Sequence, residues 1–205
     1  MNHKVINVHE LYNTASDLYN NVVSGGGTSS ADSILRDLEQ AVLILKDNWK
    51  GIDAGLKIQE VIKVHNEMVV VRNALAQLAF DSSKVAANYR EIQITNGAPL
   101  EGLSPVNISH KSNLDDYSDS QDTIDINPEA EHGKNLIDNA NMGIDGFLDI
   151  VSRRYAEIMD NWLVGTGRDA AQGAFDEFVS NAKKYKNTLF DVSQSIKAAL
   201  NNYSF

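Results

Sequence analysis

The sequence predicts an all-α protein, and three observations carry that reading. Apolar residues recur every three to four positions over four long stretches. All three prolines, Pro99, Pro105 and Pro128, fall in one window between residues 93 and 130. Each half of the chain is broken by a short turn that pairs a tryptophan with a glycine. A period near 3.6 marks helices with one buried face, so each helix needs a partner, and short breaks favour antiparallel neighbours. The expected architecture is two antiparallel helical hairpins, residues 1–92 and 131–205, packed as an elongated four-helix bundle and joined by a long acidic linker at 93–130.

A first helix is expected at about Val5 to Val23, ending at Gly25-Gly26-Gly27. A second begins near Ala31, where Ser29, Ser30 and Asp32 offer caps, and its stripe runs Ile34, Leu38, Val42, Leu45 and Trp49. Together these two form one broken arm. The facing arm, about Ile52 to Arg90, carries Leu56, Val61, Ile62, Met68, Val69, Leu75 and Leu78, and would span roughly 60 Å at 1.5 Å per residue. In the second half, Asn127-Pro128 is a capping side chain followed by a proline, a strong helix start. The stripe that follows runs from Leu136 and Ile137 through Phe147, Val151, Tyr155 and Ile158 to Trp162, and the last runs from Phe175 and Phe178 through Tyr185 to Leu200.

Composition narrows the function classes. The chain has 205 residues, 42% hydrophobic and 22% charged, the profile of an ordinary globular protein. With no cysteine there is no disulfide framework, thiol nucleophile or thiolate metal site. The net charge is −10, of which −6 lies in residues 93–130, where Glu101, Asp115, Asp116, Asp119, Asp122, Asp125 and Glu129 face the single base Lys111. Such a chain is repelled by phosphates, so nucleic acid is not an expected partner. A segment so rich in Pro, Asp and Ser cannot offset its ordering entropy by burial, and it reads as an exposed connector. No stretch approaches the about 18 apolar residues of a membrane span, and Met1 to Tyr19 hold no signal-peptide block. The expectation is a cytoplasmic chain, or one exported by a route that reads no such signal.

The two turns hold the sharpest motif. The first reads Asp47-Asn48-Trp49-Lys50-Gly51 and the second Asp160-Asn161-Trp162-Leu163-Val164-Gly165, and they contain the only two tryptophans. An Asp-Ala pair follows each, Asp53-Ala54 and Asp169-Ala170, with three extra residues in the second copy. This reads as an internal repeat of a helix–Trp–Gly–helix unit. Tryptophan seals the end of the two-helix seam, and glycine lets the backbone reverse at positive φ. Trp49, Gly51, Trp162 and Gly165 are therefore the candidate site residues, as hairpin-turn positions.

These hairpins resemble the WXG family, the ESAT-type (Esx-type) helical hairpins exported by type VII secretion systems, here as a tandem of two copies covering nearly all of the chain outside the linker. Trp49-Lys50-Gly51 fits the motif as written, and Trp162-Leu163-Val164-Gly165 carries one residue too many. The chain is also similar in length to the LXG-type targeting domains of polymorphic toxins. The resemblance implies a non-enzymatic interaction protein, a secreted substrate, adaptor or targeting partner, with a protein partner from the secretion machinery, a toxin or another WXG-type chain. The family's export signal, tyrosine followed four residues later by an acid, is absent: Gln93 follows Tyr89, Gln121 follows Tyr117 and Leu189 follows Tyr185. A partner would supply it. The competing class is a structural or membrane-active helical bundle, such as a phage or cell-surface component.

Other motifs carry less. Gly165-Thr166-Gly167-Arg168-Asp169-Ala170 matches a loose dinucleotide fingerprint without the strand that must precede it. The linker acids lack the glycine and terminal glutamate of an EF-hand loop. Among His3, His9, His65, His110 and His132 no two are three or four residues apart, so no single helix builds a metal site from them. No cofactor, metal or catalytic residue is expected.

Overall fold

The computed structural model describes residues 8–93, 109–112, 114–161 and 166–202. The fold is all-α, a bundle of packed helices with almost no strand. Helix α1, Val8–Asp17, runs on into a π-helical turn at Leu18–Val23, closed by the Ser24 N–H on the Tyr19 carbonyl at 2.9 Å. After the glycine loop, α2 spans Ala31–Asn48, with the Ser30 hydroxyl accepting the Ser33 N–H at 3.2 Å as its cap. Trp49–Lys50 form a short strand β1, α3 spans Ile52–Gln93, and a second short strand β2 is Asp125–Ile126. Helix α4 is Ala130–Asn161 and α5 is Thr166–Asn202. Asn127 caps α4 as its sequence predicts: its side-chain oxygen accepts the Glu129 N–H at 3.0 Å and its carbonyl the Ala130 N–H at 2.9 Å. Pro99, Pro105, Trp162 and Gly165 lie outside the described residues.

Cross-helix contacts fix the directions. Gly133 of α4 lies against Leu45 of α2, and Arg154 pairs with Asp17 of α1 at 2.6 Å, so α4 runs antiparallel to the broken arm. Tyr185 of α5 donates its hydroxyl proton to Glu67 of α3, while the end of α5 meets the start of α3 around Trp49 and Asp53, so these two also run antiparallel. The arm α1–α2 therefore packs on α3 and α4, and α5 packs on α3 and α4. Helices α3 and α4 point the same way from opposite corners. The chain between them must return along the bundle, the topology of a four-helix bundle with one long crossover.

The predicted stripes are the core. Ile34, Leu38, Val42, Leu45 and Trp49 are buried, as are Ile137, Ala140, Ile144, Phe147, Val151 and Ile158 on α4 and Phe178, Leu189, Val192 and Ile196 on α5. Phe147 meets Phe178 edge-on at 5.6 Å between ring centres, and Tyr155 stacks on Phe175 at 4.5 Å. One expected core residue is elsewhere: Leu56 is 62% exposed, because it lies about 200° around α3 from Ala54, which with Ile58 and Val61 is on the buried face. Arg72 of α3 is 1% exposed and its guanidinium meets Asp32, in the first turn of α2, at 2.8 and 3.5 Å. That pair joins the start of α2 to the middle of α3.

The second part of the connector differs from its expectation. Residues 109–112 and 114–126 are mostly exposed, but they do not hang free. They form a strap that runs back along α3, held by polar anchors and by Leu114, Tyr117 and Ile126 against the core. Asn73 holds the His110 backbone at both ends, accepting its N–H at 2.7 Å and donating to its carbonyl at 2.9 Å. Asn66 accepts the Ser112 hydroxyl at 2.8 Å. Gln59 accepts the Tyr117 N–H and donates to Asp116, both at 2.7 Å. Ile52 donates its N–H to the Gln121 carbonyl at 3.1 Å. Positions 52, 59, 66 and 73 are seven residues apart, one stripe of α3 two turns at a time. Those 21 residues of helix cover about 32 Å, and the 11 residues of extended strap that match them cover about 36 Å. These hydrogen bonds add to the apolar contacts of Leu114, Tyr117 and Ile126 with the core.

Candidate functional site

The tip of the first hairpin is built around Trp49, Lys50 and Gly51. Trp49 leaves α2 with extended backbone (φ −142°, ψ 114°) and donates its N–H back to the Leu45 carbonyl. Its indole is 4% exposed, closing the α2–α3 seam. Trp49 pairs with Ile126 and Lys50 with Asp125 in an antiparallel bridge, extended by the Asn127 N–H on the Asn48 carbonyl at 2.9 Å. The aromatic seal is thereby covered by the strap as well as by the helices.

Gly51 is the required glycine. Its φ is +117°, a region that L side chains rarely adopt, and an added Cβ would stand 3.1 Å from the Thr123 carbonyl oxygen. Its N–H donates to the Asp119 carboxylate at 3.1 Å, and the same carboxylate accepts the Gln121 N–H at 3.0 Å. A side chain 68 residues away thus caps α3, with its negative charge at the positive end of the helix dipole. Hydrogen bonds from the Gln121 and then the Gly51 N–H groups hold the Asp119 carboxyl below the ordinary carboxylate range. Gly55, one turn further on, lets the strap approach: a Cβ there would lie 2.5 Å from the Asp119 nitrogen.

Beside this tip lies a groove of about 480 Å³, lined by Trp49, Asp53, Leu56, Lys57, Ile124 and Ala199 among others. Three apolar side chains stand exposed at this end of the bundle: Leu56 at 62%, Ile52 at 48% and Ile124 at 43%. The groove is walled by aliphatic and aromatic surface, with Asp53, Lys57 and Glu60 at its polar edge. Chemically it suits an apolar side chain or helix face flanked by charge. Of the sequence-predicted turn residues, Trp49 and Gly51 come together here.

The structure also assembles a group that the sequence did not suggest. His65 of α3, His110 of the strap and Glu39 of α2 each offer one ligand atom, all within 4.8 Å of one another. The spacing argument excluded histidine sites within one helix, and this cluster draws on three elements. The heptad-spaced amides Gln59, Asn66 and Asn73 were its available signal, since they mark the track that brings His110 beside His65. The one Glu-x-x-His spacing, Glu129 to His132, falls at the exposed start of α4.

No family model, curated protein or solved structure matches this chain.

Proposed function

We propose that this chain is a non-enzymatic helical interaction protein of the WXG type, a secreted substrate, adaptor or targeting partner of a type VII-like secretion system. The observation that carries the reading is the tip at Trp49-Lys50-Gly51. Tryptophan closes a two-helix seam there, glycine takes the positive φ of the reversal, and exposed apolar residues gather at the same end. Two hairpins packed face to face in one chain supply the four-helix arrangement that WXG proteins make from two chains. The exposed Leu56, Ile52 and Ile124 beside the groove are the surface offered to a partner helix, and Trp49 acts as its buried support.

The test is made in the native cells. A photo-crosslinking side chain at Leu56 is expected to capture a component or cargo of the secretion system, and deletion of the system's ATPase is expected to abolish export of that cargo. Crosslinks confined to phage or cell-wall structural proteins, with no effect of the ATPase deletion, overturn the proposal in favour of a structural bundle.

A further inference from the structure

Outside the hairpin tip, Glu39, His65 and His110 bring three metal-ligating side chains from α2, α3 and the strap to one place. A neutral imidazole carries one N–H and one lone pair. The Asn66 side-chain oxygen accepts the Ser112 hydroxyl at 2.8 Å and faces His65 Nδ1 at 3.2 Å, with the Ser112 Oγ 3.5 Å from the same nitrogen. The Nε2 of His65 lies 3.0 Å from Glu39 Oε1. The same carboxylate oxygen is approached from the strap by His110 Nε2 at 3.2 Å. Two imidazole nitrogens and a carboxylate oxygen from three separate elements thus come together at one place.

The geometry points to a site for one first-row divalent transition-metal ion of the zinc class, held by Glu39, His65 and His110, that clasps the strap to the α2–α3 hairpin. Two imidazoles and a carboxylate are a donor set suited to zinc, cobalt or nickel, while magnesium and calcium take oxygen ligands. Ligand bonds of about 2.0–2.1 Å place neighbouring ligand atoms of a tetrahedral site about 3.3 Å apart; the two nitrogen-to-oxygen separations here are 3.0 and 3.2 Å, and with all three ligand atoms within 4.8 Å the two imidazoles draw together on binding. Three protein ligands leave one position for water. Metal-bound histidines characteristically donate their second ring nitrogen to an acceptor, and the Asn66 oxygen stands in that place for His65. His110 is oriented by the two hydrogen bonds between its backbone and Asn73.

Access and burial agree with this role. His65 is fully buried, whereas the side chains of Glu39 and His110 are 23% and 29% exposed, so the ion enters from the strap side. Arg72, the nearest buried cation on α3, has its charge met by Asp32. A metal here joins three elements that the chain separates by 26 and 45 positions, where the strap lies beside Asn73 of α3.

The experiment uses the full chain, stripped with chelator and titrated with Zn²⁺ and with Co²⁺. One ion per chain is expected by calorimetry, with the visible absorption of four-coordinate Co²⁺, a raised melting temperature and slower proteolysis at Asp115–Tyr117. Mg²⁺ and Ca²⁺ should give none of these. His110→Ala and Glu39→Gln, both at partly exposed positions, should each weaken Zn²⁺ binding by more than the about 10–100-fold that loss of an outer partner costs, and Asn66→Ala should fall within that range. Circular dichroism of each variant establishes that the helices persist. Absence of one-to-one binding overturns the proposal and leaves the three side chains as a hydrogen-bonded cluster. Binding that survives both His110→Ala and Glu39→Gln overturns it by placing the ion elsewhere. Neither result touches the secretion reading, which rests on the tip past the C-terminal end of α2, ten residues beyond Glu39.

Discussion

Replacing Trp49 by alanine tests the hairpin tip most directly. The indole is 4% exposed and lies between the end of α2, the start of α3 and Ile126 of the strap. Burying a tryptophan removes about 200 Å² from water, and at about 25 cal/mol per Å² this is worth about 5 kcal/mol. Alanine keeps a small part of that burial and neighbouring side chains partly close the gap, so the expected loss is about 3–5 kcal/mol. In a domain of this size each kcal/mol moves the melting temperature by about 2–4 °C, which gives a fall of roughly 6–20 °C. The assay is urea unfolding followed by helical circular dichroism, checked by thermal melting. Because the strap bridges to Trp49, proteolysis near Ile124 should accelerate in the same variant. An unchanged urea midpoint and melting curve would refute the assignment of Trp49 as a structural seal and return the indole to the partner surface.

Asp32→Ala takes the carboxylate from buried Arg72 and should cost about 2–4 kcal/mol, below the full value for a buried pair because Asp32 is partly exposed; denaturant titration measures it, and a neutral result would show that other groups hold Arg72. Gly55→Ala places a Cβ 2.5 Å from the Asp119 nitrogen, so it should lift the strap from the start of α3 and speed hydrogen exchange at Gly51 and Ile52 while the bundle stays folded. The depressed Asp119 carboxyl makes its contribution fully above the ordinary carboxylate value of 3.8 and loses it as pH falls through the lower folded-state value. An NMR titration of that carboxyl should show its midpoint below 3.8, and a midpoint at or above 3.8 would remove Asp119 as the cap of α3.

The helices were legible because local signals and packing agreed. Ser30 and Asn127-Pro128 are caps in sequence and in space, and the stripe from Ile34 to Trp49 is buried throughout. The path of the strap was not legible. Its anchors Gln59, Asn66 and Asn73 are amides, which on a helix read as a solvated face, and Asp119 joins Gly51 across 68 residues. Leu56 was misplaced for a different reason: it is out of phase with Ala54, Ile58 and Val61, which form the buried face of α3 at that end, and a list of large apolar residues overlooks the small Ala54 that marks it. His65 and His110 carry no mutual spacing, and only the strap's register on α3 brings them to the same carboxylate.

The single crossover also changes what kind of equilibrium holds the bundle together. Two separate hairpins meeting in this arrangement would dissociate on dilution and would exchange with related chains. Linked through residues 94–129, they meet at an effective concentration set by the tether, in the millimolar range for short flexible linkers and decreasing only gradually with length. Docking the strap removes much of the tether's freedom as well. The four-helix state is therefore independent of protein concentration, and any partner meets a surface already assembled.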